Sequence, residues 1–321
     1  MLKALAKKAA LLAALTLAPA LTSPAQTLID LKRGGGLRAK TLDDYRTRAR
    51  DAWQEREDSL EYTDHIRRTL NALYTDSLAE AEKHINAALK LRPDAPGNHI
   101  LQYYLGEIDL KRGRYDEAIS RFTALLDKMP EFHDARIARA DAALQAGRAR
   151  EAAEDAGQLI VPRPRWVVPD DVSERALFVR AAARYQLRQY PEARTDLTAL
   201  LRDNPSRTDA QLLEALTLHR MGQPREALNR LNVTVAAHPD DIEALTTRAM
   251  VEGELQLNDM ARADYDRLAA LCPDAPDVFT ERARILIRLD EKTAARRDLD
   301  RAVALGTPMG AVQSLYNLTR Q

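Results

Sequence analysis

The sequence predicts an all-α solenoid of about seven stacked helix pairs, and three observations lead there. The chain matches itself when slid by 34 residues, the mark of an array built from one supersecondary unit. In that register alanine fills one column in every frame: Ala81, Ala118, Ala152, Ala193, Ala227, Ala261 and Ala295. A second column closes the frames with Pro93, Pro130, Pro164, Pro205, Pro239 and Pro273, displaced by one place to Pro308 in the last. Proline has no N–H for a helical ladder, so it ends the second helix of each pair.

In chain order, residues 1–25 come first and read as a secretory signal. Lys3, Lys7 and Lys8 stand without any acid, Ala9 to Leu21 is a short apolar run, and Ser23-Pro24-Ala25 supplies small residues before a cleavage expected after Ala25. The run is shorter than the roughly 20 residues that span a bilayer. No cysteine follows it to carry a lipid. The whole chain of 321 residues balances 48 Lys+Arg against 48 Asp+Glu. Losing the three lysines leaves the remainder at about −3, which argues against a nucleic-acid binder held by a basic face. The single cysteine, Cys272, rules out an internal disulfide.

Residues 26–61 form an N-terminal segment and helix. Gly34-Gly35-Gly36 is a break, and Thr41 to Asp58 reads as a charged helix with Leu42, Tyr45, Ala49, Ala52 and Trp53 as its apolar positions. Trp53 is expected to pack. Repeats 1–3 occupy 62–166, with frames beginning at Tyr62, His99 and His133 and an extra Pro96 to Asn98 between the first two. The insert 167–173 overlaps a proline-rich stretch, Pro162 to Pro169, that cannot be helical throughout. It divides the array into a front part and a rear part, and Trp166 with Arg165 forms either a recognition loop or a packing linker.

Repeats 4–7 occupy 174–309 in frames beginning at Glu174, Thr208, Ile242 and Pro276. Twelve residues ahead of each alanine lies a second small column, Gly106, Ala140, Ala181, Ala215, Ala249 and Ala283, with Thr69 the larger exception. Small residues in both columns let two helix backbones approach. A turn separates them, marked by Gly113, Gly147 and Gly222 and replaced by Arg188 and Asp290 in other frames. Finally, residues 310–321 read as a C-terminal capping helix that sets Val312, Leu315, Tyr316 and Leu318 on the last repeat.

The small residue, alanine and proline at these spacings make the frame resemble the tetratricopeptide repeat, most fully in Leu105-Gly106, Ala118, Phe122 and Pro130. The resemblance implies a right-handed α-solenoid that takes a peptide segment or partner helix on the concave face of its first helices. It departs from the family in lacking the large aromatic early in the first helix. The lysine and asparagine clamp that holds a terminal carboxylate in some members is also missing. Mapped onto this chain, the implied partner-binding positions are Tyr103, Arg175, Phe178, Tyr185, His219, Arg284 and Arg288.

Charges sixteen residues apart test the register. Arg139 goes with Asp155, Arg180 with Asp196, Arg248 with Asp264 and Arg282 with Asp298, while Glu214 with Arg230 exchanges both signs. An exchange at both ends is what a contact from helix to helix requires. As exposed pairs these would contribute about 0–1 kcal/mol each. The frame with Leu105 and Arg121 is expected to lack the pair.

No catalytic or metal motif is found. The six histidines are scattered over four frames without H-E-x-x-H spacing, and no nucleophile elbow or phosphate loop occurs. Neither a cofactor nor a metal is expected. The sequence therefore points to a non-enzymatic scaffold or adaptor with a protein or peptide partner, in the periplasm or outer cell envelope. The alternative is a helical-repeat hydrolase or glycan-binding enzyme whose groove would use Glu107 and Asp141.

Overall fold

A computed structural model describes residues 42–160 and 169–320, which form fifteen α-helices and, among the described residues, no strand. The signal, the glycine break and Trp166 lie outside the described residues. The chain divides into two compact units, 1–146 and 147–321. In the first, α1 (Leu42–Tyr74), α2 (Leu78–Leu91), α3 (Asn98–Lys111), α4 (Tyr115–Lys128) and α5 (His133–Gln145) each pack on the next. In the second, α6 (Ala149–Leu159) packs on α7 (Asp170–Gln186), followed by α8 (Tyr190–Asp203), α9 (Thr208–Arg220), α10 (Pro224–Ala237), α11 (Ile242–Glu254), α12 (Asn258–Leu271), α13 (Pro276–Arg288), α14 (Lys292–Ala304) and α15 (Met309–Leu318).

Identical helix ends recur because identical backbone problems recur. Every first helix stops at the thirteenth residue of its frame. Two residues later the chain enters the left-handed region at Asp76, Gly113, Gly147, Arg188, Gly222, Gln256 and Asp290. That bend lets the next N–H reach back to an otherwise orphaned carbonyl, as from Arg114 to Asp109 at 2.9 Å and from Gln223 to Leu218 at 3.0 Å. At the other end of the pair, Arg92, Met129, Asn204, His238 and Cys272 precede the column prolines. Each leaves the helical region, with φ between −127° and −136°. The proline ring clashes with a helical residue before it, so the helix ends there.

Both small columns are interior. All seven column alanines are 0% exposed, and Thr69, Gly106, Ala140, Ala181, Ala215, Ala249 and Ala283 are buried. Apolar residues from successive pairs then share one continuous cluster, as where Leu218, Leu231, Leu245, Val251 and Leu268 meet in the second unit.

The charge ladder is present and more buried than expected. Arg180 donates to Asp196 through Nε at 2.9 Å and Nη2 at 2.6 Å, Arg248 to Asp264 at 2.7 Å twice, and Arg282 to Asp298 at 2.7 and 2.8 Å. Asp196, Asp264 and Asp298 are buried, so these are not surface pairs. The sign-reversed pair is looser, with Arg230 Nε 3.4 Å from Glu214 and its side chain 54% exposed. The fifth pair, Arg139 with Asp155, has one member in each unit. Arg139, Arg248 and Arg282 also reach sixteen residues backwards into the preceding second helix. Arg139 donates to Thr123 at 3.1 Å, Arg248 to Asn232 at 3.2 Å and Arg282 to Asp266 at 2.9 Å. Arg248 and Arg282 thus each join two successive second helices. Tyr316 of α15 holds the same frame position and donates to Asp300 at 2.6 Å, which makes the cap the first helix of an eighth frame.

Several expectations are corrected. The N-terminal helix does not stop before the first repeat: α1 runs unbroken for 33 residues into it. Trp53 does not pack against a neighbouring helix. It stands largely exposed with the Arg56 guanidinium 5.9 Å from its ring. The frame expected to lack an ion pair has one, since Arg121 donates to buried Asp109 at 2.6 Å, four residues further along the first helix than the ladder column held here by Leu105. Leu318 is exposed, while Val312, Leu315 and Tyr316 are buried. The units divide within the third frame and not at the insert, because α6 packs closely on α7.

Candidate functional site

The first helices of the second unit that carry the expected partner-binding residues are α7, α9 and α13. On these helices and on α11 several fifth and ninth frame positions stay accessible where the alanine columns do not, although Leu212, the fifth position on α9, is buried. Phe178 and Leu216 are half-buried, Met250 is 38% exposed and Arg284 is exposed. Phe178 rests on the cluster of Ala181, Leu197, Leu200 and Ala210, with the Arg207 guanidinium 4.8 Å from its ring. Cation and ring are held together by the 2.8 Å bond from Arg207 to Asp209.

Along the C-terminal ends of these helices runs a second ladder, with rungs 35 residues apart. Arg220 Nε donates to the Tyr185 hydroxyl at 3.3 Å, His219 Nε2 bonds the Glu254 carboxylate, and Arg288 Nη1 donates to the Gly253 carbonyl at 2.6 Å. Each rung links one first helix to the next. Tyr185 also meets Tyr190 edge-on, ring centroids 5.6 Å apart. Gly253 has a steric reason to be glycine, since a Cβ there would lie 3.0 Å from Ile285 Cδ1 and 3.5 Å from Arg288 Nη1.

The structure therefore brings Tyr185, His219 and Arg288 into one row of inter-repeat contacts, and leaves Arg284 on the surface with Glu281 at 3.1 Å. Arg175 and Phe178 lie on the same helix as Tyr185, with Arg175 half-buried. Tyr103 does not join them. It belongs to the first unit and is only 3% exposed, its ring among Tyr104, Phe122 and Phe132 and its hydroxyl donating to Glu107 at 3.3 Å. It is a core residue because Gly106, three positions on, lets Phe122 move in beneath it. Glu107 is buried with it.

Sequence reasoning missed Arg220, Gly253 and Glu254. The signal that could have found them is an offset of one column between adjacent frames, 35 residues in place of 34. Chemically the face offers apolar area, guanidinium groups and polar groups already fixed by their neighbours, which suits binding a polypeptide. Among the described residues no group of three or more His, Cys, Asp or Glu is placed to hold a metal ion. No helix among them is long and apolar enough to cross a membrane.

Comparison with known proteins agrees with this architecture. Family models described as tetratricopeptide repeat match residues 70–119, 103–165 and 184–251. No curated protein matches the sequence. Among solved structures, a tetratricopeptide repeat protein from Parabacteroides merdae superposes with a TM-score of 0.63 at 23% identity, covering 82% of this chain and 100% of its own. The pilF protein of Pseudomonas aeruginosa gives 0.54 at 18% identity, over 69% of this chain and 96% of its own. The Cut9-Hcn1 hetero-tetramer of the APC/C gives 0.57 at 12% identity, over 78% of this chain and 56% of that one. At these identities the likeness is one of fold.

Proposed function

The chain belongs to the tetratricopeptide-repeat family, and on that premise we propose that it is a non-enzymatic adaptor of the bacterial cell envelope that lays a peptide segment or helix of a partner protein along the first helices of its second unit. The observation that carries this reading is the contrast within α7, α9, α11 and α13. Their alanine positions are sealed, while Phe178, Leu216, Met250 and Arg284 keep area for a ligand. The rungs through Tyr185, His219 and Arg288 hold adjacent helices in place before a ligand arrives, which lowers the ordering cost of binding. The envelope location rests on the secretory signal read at 1–25.

The test is affinity capture from an envelope fraction with the chain lacking residues 1–25. Met250→Glu and Arg284→Glu are run alongside and checked for unchanged helicity and melting temperature. A partner held by the unaltered chain and lost from both variants supports the groove. Full retention of every partner by a Met250→Glu/Arg284→Glu double variant overturns it.

A further inference from the structure

Glu252 has no counterpart in the neighbouring repeats. It is the eleventh residue of its frame, on α11, where the repeats on either side place Leu218 and Leu286 in the same buried position. Its side chain is 1% exposed, and Oε2 has no hydrogen-bond partner. The other oxygen lies 3.8 Å from Arg248 Nε, too long for a hydrogen bond. That guanidinium is already committed to Asp264 of α12 and Asn232 of α10.

The charge inventory of this repeat is consequently unlike its neighbours. The seventh repeat sets one arginine, Arg282, against Asp298, and the fourth sets two, Arg180 and Arg184, against Asp196. The sixth sets two carboxylates against one arginine. No other charge from the surrounding helices redresses this. His219 of α9 is turned to Glu254 and Arg220 to the Tyr185 hydroxyl, Arg230 of α10 to Glu214 while Arg225 stands exposed, and Arg262 and Arg267 of α12 are turned to Glu291 and Asp240. From α13, Arg288 takes the Gly253 carbonyl, Arg282 takes Asp298 and Asp266, and Arg284 takes Glu281.

We propose that Glu252 makes the sixth repeat proton-responsive. Neutral, it packs where its neighbours carry leucine; ionised, it sets a second carboxylate against Asp264 and loosens α11 from α12. Burial first, and then the Asp264 charge, push its carboxyl up to about 7 against the partial relief of Arg248, so the transition falls at neutral pH. The loosening reaches the groove because the next two residues, Gly253 and Glu254, supply the rungs to Arg288 and His219. That last step regulates the face described above and rests on the groove reading, whereas the proton response itself does not.

Hydrogen exchange of the full chain without any partner tests it, corrected for intrinsic exchange rates, from pH 5.5 to pH 8. In the unaltered chain the amides of α11 and α12 lose protection as pH rises, measured against those of α7 and α8. In Glu252→Gln the pH dependence disappears, and at pH 8 protection of α11 and α12 exceeds that of the unaltered chain on the order of a hundredfold. Glu252→Leu, the residue of the neighbouring repeats, behaves the same way and serves should the glutamine variant fold poorly. Equal protection of α11 and α12 at both pH values in the unaltered chain, or an undiminished pH dependence in both variants, overturns the proposal. Because no ligand is present, a failed capture experiment leaves this result standing, and the converse also holds.

Discussion

Replacing Asp196 by alanine measures what the inner charge ladder contributes. Its carboxylate takes three N–H bonds, from Arg180 Nε and Nη2 and from Arg184 Nη1, at 2.6 to 2.9 Å, with 3% of the side chain exposed. Truncation leaves two guanidinium groups, about a fifth to a quarter exposed, beside a buried gap. Removing one partner of a buried pair costs about 3–5 kcal/mol. Since both arginines keep some water, the loss here is expected near about 3 kcal/mol. For a unit of this size that lowers the melting temperature by roughly 6–12 °C. Arg230→Ala is the control, because its single contact is 3.4 Å and its side chain is 54% exposed. A pair that open is worth about 0–1 kcal/mol. Calorimetric melting of both variants, with Arg180→Met/Arg184→Leu/Asp196→Leu in parallel, gives the answer. The triple variant should recover most of the loss, because an apolar replacement leaves no charge uncompensated. Equal losses from Asp196→Ala and Arg230→Ala would show that burial does not set the strength of the ladder, and the reasoning would fall.

Gly106→Ala places a Cβ 2.5 Å from Phe122 Cε1 and should destabilise the first unit by about 1–3 kcal/mol; adding Phe122→Leu, the size used at 197, 231 and 299, should restore the melting temperature. Gln256, Arg188 and Asp290 hold φ values of 61°, 60° and 59°, so glycine at any of the three should raise stability by roughly 0.5–1 kcal/mol in denaturant unfolding, while Gly222→Ala should lower it. In the first unit the Nδ1 atoms of His65 and His84 lie 2.9 Å apart and can share only one proton. Burial first, then the charge of His65, lower the His84 pKa, so the charged form is disfavoured on folding. Stability of the first unit should therefore fall as pH drops below the ordinary histidine value of about 6.5, and His84→Gln should flatten that fall in pH-dependent melting.

Helix pairing was legible because it depends on features the sequence repeats. An alanine can be read as a close approach only when seven of them share a column, and all seven prove buried. The turn was half legible. Glycine announces the left-handed residue in three first-helix ends, whereas Asp76, Arg188, Gln256 and Asp290 adopt the same φ because the carbonyls behind them need the same N–H. The ladder was legible as a pairing and misjudged as an energy, since one sequence does not reveal that Asp196, Asp264 and Asp298 lie inside. Tyr103 was misplaced for a related reason. Frame position puts it on the outer row, but glycine at 106 draws Phe122 close and the aromatic cluster closes over it. The groove ladder escaped notice because its partners sit one column out of step, and comparing like columns separates what the structure joins.

The departures from the common frame also say where such a chain can open. In an array, stability is close to a sum of repeat terms and nearest-neighbour interfaces, so a weak repeat yields locally without unfolding the rest. The second unit keeps its apolar columns constant and varies its inner charges: two arginines on one acid in the fourth repeat, a loose reversed pair in the fifth, two acids on one arginine in the sixth, and a matched pair in the seventh. The column alanines of these repeats are all 0% exposed, whereas their inner charges differ from one repeat to the next. Glu214 fits this reading, since burial raises its carboxyl pKa against the pull of Arg230. Among the described residues the fifth and sixth repeats, neighbours in the array, thus carry two buried carboxylates, Glu214 and Glu252, whose ionisation opposes folding. If the proposed groove is the binding face, softening at those two repeats, between a doubly clamped fourth and a matched seventh, would let its middle adjust to a ligand while its ends stay fixed.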